Sequence, residues 1–350
     1  MFFKNISSRK GKHIVHGVYF SPMIWVGKNP INQKKNYEVN IIENDFTVAF
    51  ETSYNGYDLF ITETGLILFF CDDRKKTHEL LNLLFGMIYV LIRNIDVRVV
   101  REQDITFMEI DFDKKMILSM SKPRGDATSD WLSERNDKIN WLDFKNRKII
   151  VYNKSLLKGI IEGFDKMPKD HFRLVHLLLD AYTQYQDGNY TASYILGWIV
   201  VEGIISKTWE NFLKTNFNTK QVKDQKKMVK DPNWTVSIKI KSLQITNQLT
   251  HDLANLLLKF NSLRNDIIHK WLIKDKEISR TKTQAMVKIT RYLSSKYIFE
   301  LKASDELRIE DDKIFSRLLQ SWNRESEEDM EEILGSWKEG ILDVVLENGS

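Results

Sequence analysis

The stretch HDLANLLLKFNSLRNDIIHKW, residues 251–271, decides how the second half of this 350-residue chain folds. Thr250 stands where a helix N-cap belongs, and Leu256, Phe260, Leu263 and Ile267 follow at i, i+4, i+7 and i+11. That spacing is the apolar stripe of an amphipathic helix. With Arg264 at zero on an ideal helix, Ile268 falls at about 40°, Asn261 at about 60°, Asn265 at about 100° and His269 at about 140°. The polar residues therefore share one arc beside the stripe rather than opposite it. Asn265 and His269 are i, i+4 neighbours and can touch. Arg264 shares its line with Leu257, Ile268 and Trp271, so its guanidinium is expected to emerge from a largely apolar seam. A cation there needs an anionic partner or an anionic ligand, because burying it alone is costly.

Upstream, residues 190–209 form a second strong helical pattern with Tyr194, Trp198, Val201 and Ile205 on one face. Glu202 lies on or near that face, where an acidic group is unusual unless paired. Two readings stay open for it. Glu202 helps to hold Arg264, or it sits at the edge of the apolar face and reaches water.

The arginine, the polar residue directly after it and the histidine four positions further on spell Arg264-Asn265-x-x-x-His269. This signature resembles the active motif of HEPN domains, the "higher eukaryotes and prokaryotes nucleotide-binding" family of small helical bundles. The resemblance extends upstream. HFRLVHLLLDAYTQYQDGNYTASYILGWIVVEGIISKTWENF, residues 171–212, with its Asp187-Gly188 turn and the W-x-x-x-E pattern of Trp198 and Glu202, looks like the first helical hairpin of the Apea-like HEPN group. The likeness covers residues 168–300, under half the chain. Arg9 and His16 meet the looser Arg-x6-His spacing that the family allows, but they sit in a basic leader running into an expected strand and are set aside.

What the resemblance implies is a metal-independent endoribonuclease without a cofactor. RNA carries its own nucleophile, the 2′-hydroxyl, which attacks the adjacent phosphate. His269 would transfer protons, because an ordinary imidazole titrates near neutrality. Arg264 would bind the phosphate through its planar, permanently charged fork of donors. Asn265 would orient the histidine or a phosphate oxygen, with Glu202 and Asn261 in support. The products would be a 2′,3′-cyclic phosphate and a 5′-hydroxyl. One bundle supplies one such histidine, and in the family two bundles pair, so the likeness also implies a homodimer with a composite site. A role in antiviral defence, or as a toxin, follows from the same likeness. The alternative is a non-catalytic HEPN module for dimerisation and RNA or nucleotide binding, regulated by the amino-terminal domain.

Composition sets the outer limits. The chain is 42% hydrophobic and 29% charged, with five prolines, which fits a globular protein large enough for two cores. Cys71 is the single cysteine, so no disulfide framework and no thiolate metal site is expected within the chain, in keeping with a cytoplasmic setting. The most apolar stretch, residues 80–92, is too short for a spanning helix of about 20 residues. It reads as a buried core helix, and no membrane association is expected. His171 and His176 are five apart and point to different faces. No H-E-x-x-H, phosphate-binding P-loop, G-x-G-x-x-G or G-x-S-x-G occurs.

The formal net charge of +4 hides an asymmetry. Residues 301–350 hold six Lys/Arg and fourteen Asp/Glu, a net of −8, which leaves +12 on residues 1–300. A basic body attracts a polyanion. Candidate contacts to an RNA backbone are Lys226 and Lys227, in the basic run 219–230, and Lys270 and Lys274 after the motif, with Lys276, Arg280 and Lys282 beyond them.

The first third reads differently. HIVHGVYF, YEVNII, DFTVAFE, DLFITE and GLILFFC are short β-rich runs separated by turn residues, followed by a helix over 75–92 and by further strand-like runs VRVVRE and DITFMEID. The fold class expected is therefore α+β: a β-rich amino-terminal domain, then an all-α four-helix bundle with extra carboxy-terminal helices. The boundaries read as 1–125 for the α+β domain, 126–165 for a linker and connecting helix, 166–302 for the bundle and 303–350 for an acidic helical tail. That tail is expected to hold helices over 314–322 and 330–345. The aromatics around 19–28 and Tyr54, Tyr57 and Phe60 read first as core, with base stacking as the less favoured use. A regulatory ligand or protein partner is expected at the amino-terminal domain by analogy with the family.

Overall fold

The computed structural model describes residues 10–19, 24–26, 48–63, 65–92, 97–114, 116–120, 149–152, 154–164, 169–216, 234–270, 278–298, 305–337 and 345–347. The chain is α+β. It divides into two compact units, Met1–Pro168 with Leu342–Ser350, and Lys169–Ile341. The expected YEVNII strand lies outside the described residues.

The first unit is built on β1 (Lys12–Tyr19), β2 (Ile24–Val26), β3 (Val48–Tyr54), β4 (Tyr57–Thr62), β5 (Leu66–Phe69), α1 (Arg74–Leu91), β6 (Thr106–Asp111), β7 (Met116–Met120), β8 (Ile149–Tyr152), α2 (Lys154–Phe164) and β9 (Val345–Glu347). Six strands form an antiparallel sheet in the order β3-β4-β5-β1-β6-β7, and β2, β8 and β9 form a second, mixed sheet. Asn55 and Gly56, both at positive φ, turn β3 into β4, as a tight hairpin requires. On one face of the large sheet Val15, Phe60, Leu66, Leu68, Met108 and Ile110 form a closed apolar cluster. Gly17 is needed there, because a Cβ would stand 2.7 Å from a Leu68 methyl. Tyr54 and Phe60 are fully buried, so these aromatics are core.

α1 opens on a charged first turn and then runs through a mostly apolar stretch, Leu80 to Val90, that is buried throughout, as a core helix demands. Asp73 caps it, accepting from the backbone of Lys75 and Lys76. The expected VRVVRE strand does not form. Side chains take up part of its backbone instead. Asn82, fully buried, accepts from the Val100 amide at 2.7 Å and donates to the Val100 carbonyl at 2.8 Å. Asp104 accepts from the Arg101 amide, and Arg74 donates to the Glu102 carbonyl. A single 3-10 turn at Glu102–Asp104 then leads into β6.

The second unit holds α3 (Lys169–Gln186), α4 (Tyr190–Asn216), α5 (Val236–Ile245), α6 (His251–Lys270), α7 (Arg280–Leu293) with a π turn at Ser294–Ile298, α8 (Asp305–Asn323) and α9 (Glu327–Ser336). α3 and α4 pack as a hairpin through the Asp187-Gly188 turn, where Gly188 takes φ +79. α4 is the centre: α3, α5, α6 and α7 all pack on it, and Tyr194, Trp198, Val201 and Ile205 are buried. Gly197 lets α7 approach, since a Cβ would meet Met286 Cγ at 2.9 Å. Among the described residues no helix is long and apolar enough to cross a membrane.

The tail departs from expectation in one respect. α8 and α9 form, and Leu334 and Trp337 are buried. The helix expected to run to 345 instead ends at Ser336, with Trp337 as its C-cap. The Trp337 ring packs against Tyr292 and Phe315, and its carbonyl accepts from Lys288 Nζ at 3.1 Å, which fixes the chain there. Val345 belongs to β9, whose three residues pair antiparallel with β8. The acidic Glu327, Glu328 and Asp329 occupy the first turn of α9, where negative charge favours a helix.

Candidate functional site

α6 carries the Arg264-Asn265-x-x-x-His269 motif. It begins at His251, directly after Thr250, and the Thr250 carbonyl accepts from the Ala254 amide. The Thr250 hydroxyl makes no capping bond, so the helix start rests on its backbone alone. The approach turn supplies order instead: Asn247 takes φ 57, and the Gln248 amide donates to the Leu243 carbonyl at 2.8 Å.

One face of α6 is buried through Leu253, Ala254, Leu256, Leu257, Phe260 and Asn261. On an ideal helix Arg264 lies near the middle of that face, within about 40° of Leu257 and Phe260. It is nevertheless half-exposed, because the buried stripe opens after Asn261. The seam expected around Arg264 is therefore apolar on its amino-terminal side and open on its carboxy-terminal side. Arg264 Nη1 donates to Asn265 Oδ1 at 3.0 Å, which joins two members of the motif directly. Asn265 is half-exposed and His269 is exposed.

The supporting residues are placed as follows. Asn261 is 8% exposed and donates from Nδ2 to Ser237 Oγ at 2.8 Å, so it ties α5 to α6 one turn before Arg264. Glu202 is half-buried on α4, one turn after the fully packed Trp198. The fold does not bring Glu202 to Arg264: no ion pair links them among the described residues, and the guanidinium turns to Asn265 instead. Glu202 thus takes the position expected for an edge residue. Lys270 ends α6. Lys226, Lys227, Lys274 and Lys276 lie outside the described residues. Arg280 and Lys282 already have contacts within the fold. Arg280 Nε donates to Tyr185 Oη at 3.5 Å, which raises the guanidinium pKa, and Lys282 Nζ stands 5.4 Å over the Trp322 ring.

The packing beneath the motif is dense. Tyr194 is fully buried on α4, and its hydroxyl donates to the Phe260 carbonyl at 3.0 Å. Loss of hydration pushes its phenol well above the ordinary value, so it remains a donor. Phe260 meets Tyr194 edge-on and also Trp322 of α8. At the far end of α4, Trp209 stacks on Phe212 and on Trp234. Sequence reasoning did not single out Trp234 or the residues where α8 meets α6. The latter were hidden because they come from two helices far apart in the chain.

His16, the other histidine at a family-like distance from an arginine, belongs to β1 and is 3% exposed. Its Nδ1 donates to the Cys71 carbonyl at 2.6 Å. It is a core residue of the first unit.

No protein-family model matches the chain. No curated protein matches it. No solved structure matches it either.

Proposed function

We propose that the helical unit is a metal-independent endoribonuclease that cleaves RNA by attack of the 2′-hydroxyl, leaving a 2′,3′-cyclic phosphate and a 5′-hydroxyl. One observation carries the reading. Arg264, Asn265 and His269 lie on neighbouring turns of α6, at the point where its buried face opens to solvent, with the arginine and asparagine joined at 3.0 Å. A side-chain fork for phosphate and an accessible imidazole then stand within about one and a half turns of each other near the end of the helix. Arg264 holds the phosphate and offsets the charge that grows on it. His269 moves protons to or from the 2′ and 5′ oxygens. Asn265 fixes the guanidinium. The likeness to HEPN domains supports pairing of two copies, so that two histidines face one phosphate, and it supports a cytoplasmic role in defence or as a toxin.

A second reading is a non-catalytic module that binds RNA or nucleotide and dimerises. It is favoured by one feature: among the described residues no hydrogen bond orients the His269 ring.

Purified wild type and His269→Ala, incubated with total cellular RNA in EDTA, separate the two. Cleavage by the wild type alone, with cyclic phosphate and 5′-hydroxyl ends, is the expected result. RNA binding without cleavage by either protein would favour the binding module. Equal cleavage by both would remove His269 from the mechanism.

A further inference from the structure

Beside the motif, a depression of about 350 Å³ opens between α6 and α8. It is lined by Asn255, Leu258 and Lys259 from α6 and by Leu319 and Asn323 from α8. The size is at the small end of ligand pockets, suited to a single base or nucleoside rather than to a folded partner. Asn255, Leu258 and Leu319 are half-buried, and Lys259 and Asn323 are exposed. Among the described residues the side chains of Asn255, Lys259 and Asn323 have no hydrogen-bond or ion-pair partner. Their donors and acceptors are free to meet a ligand.

The α6 side of the depression, with Leu258 at about 120°, Asn255 at about 180° and Lys259 at about 220° from Arg264 on an ideal helix, lies next to the line of Asn265 and His269 and away from Arg264. Leu258, Ser262, Asn265 and His269 fall at about 120°, 160°, 100° and 140° from Arg264 on an ideal helix. By the rise of about 1.5 Å per residue, Leu258 lies about 10.5 Å along the axis from Asn265 and about 16.5 Å from His269. A single strand that passes His269 reaches the depression within a few nucleotides along the exposed side of the helix.

We propose that the depression is a base-selecting subsite for single-stranded RNA, with adenine as its preferred occupant. An asparagine amide presents a donor and an acceptor side by side, which complements the N6 donor and N7 acceptor of adenine. Leu258 and Leu319 offer apolar walls to the base. Lys259 places a point charge for the neighbouring phosphate. Unpaired RNA is the form whose base edges are open to such reading. The choice of RNA as the ligand rests on the endoribonuclease reading, whereas the site itself rests on the depression and its side chains.

The test uses the full chain carrying His269→Ala, so that bound RNA stays intact. Fluorescence anisotropy measures its affinity for short labelled oligoadenylate, oligocytidylate and oligouridylate. The same titrations follow with Asn255→Ala and Asn323→Ala added together, and with Leu258→Trp added, which fills the depression. The expected result is about tenfold tighter binding of oligoadenylate than of oligouridylate. That preference falls to about one in both variants, while oligouridylate affinity stays unchanged. A parent without base preference overturns the proposal, as does a preference that both variants keep. The asparagine pair lies on helix surfaces, and its melting temperature shows that the fold is retained if Leu258→Trp proves unstable. Cleavage of cellular RNA by the wild type reports on the nuclease separately. Cleavage without a depression-dependent preference sinks the subsite and leaves the nuclease, and the preference without cleavage does the reverse.

Discussion

His16 and His269 each follow an arginine at a short interval, and the two units treat them in opposite ways. In the first unit His16 is 3% exposed, donates to the Cys71 carbonyl and meets Phe107 edge-on with ring centroids 4.5 Å apart. In the second unit His269 is exposed at the end of a helix, one turn beyond the Arg264–Asn265 pair. A buried histidine that satisfies a core carbonyl has been used up by the fold. An exposed one beside a half-exposed cation is available for chemistry. The lesson is that spacing in the chain selects candidates, and burial decides between them.

The largest effect that can break the contrast is on cleavage. If His269 carries proton transfer, His269→Ala lowers the rate of RNA cleavage by about 10²–10⁴-fold. Because the side chain is exposed, the stability stays within the scatter of a surface substitution, about 0.5 kcal/mol. Fragment analysis and thermal denaturation on the same preparation check both halves. A large loss of stability together with activity would show that His269, like His16, serves the fold.

The next effect tests the first unit. Asn82 occupies the place of a missing strand by bonding both backbone groups of Val100. Asn82→Ala leaves a buried donor and acceptor without that partner and costs about 2–4 kcal/mol. Chemical denaturation measures it. A cost below about 0.5 kcal/mol would mean that water replaces the amide, and that the segment is not held as described.

The same residue shows where sequence reading stops. The alternating valines of VRVVRE are a sound strand signal, but period alone does not reveal that a helix will carry an asparagine to the right place. The 330–345 helix fails for a related reason. Trp337 fits the helical stripe and is buried, but its packing on Tyr292 and Phe315 ends the helix, and Val345 pairs with β8 instead. Local patterns that act within one element were legible. These include the apolar α1, the Asp187-Gly188 turn, the stripe of α6 and the arc holding Asn265 and His269. Features assembled from distant segments were not. The depression joins residues 255–259 to 319–323, and the turn of Arg264 towards Asn265 rather than Glu202 depends on how α4 and α6 meet.

A smaller, pH-dependent effect sharpens the difference between the two histidines. Burial from water lowers the His16 pKa below its ordinary 6.5. The Cys71 carbonyl, Asp72 and Asp73 oppose that shift, and Arg74 adds to it. The folded chain then holds fewer protons at this site than the unfolded chain. Its contribution is present above the unfolded value near 6.5 and is lost as pH falls towards the lower folded value. The thermal stability of the wild type should therefore fall on acidification through this window. His16→Gln keeps an amide donor for the Cys71 carbonyl but cannot titrate, so this part of the pH response should disappear. An unchanged response would assign the pH dependence to other groups.

The smallest effect asks whether the core of the helical unit positions its edge. The Tyr194 hydroxyl donates to the Phe260 carbonyl at 3.0 Å. By helical geometry that carbonyl also accepts the backbone amide of Arg264, four residues on. Tyr194→Phe removes one bond, while the carbonyl keeps its helical partner. The cost should be about 1 kcal/mol of stability, without a cavity. If the hydroxyl only fills a valence in the core, RNA cleavage and the affinity of the His269→Ala background for RNA stay as they were. If it also sets the turn from which Arg264 leaves the buried face, cleavage falls by more than the lost stability accounts for, and the loss persists at temperatures where the variant is fully folded. The second outcome would make Tyr194 a positioning residue and would blur the division between a core that folds and an edge that reacts.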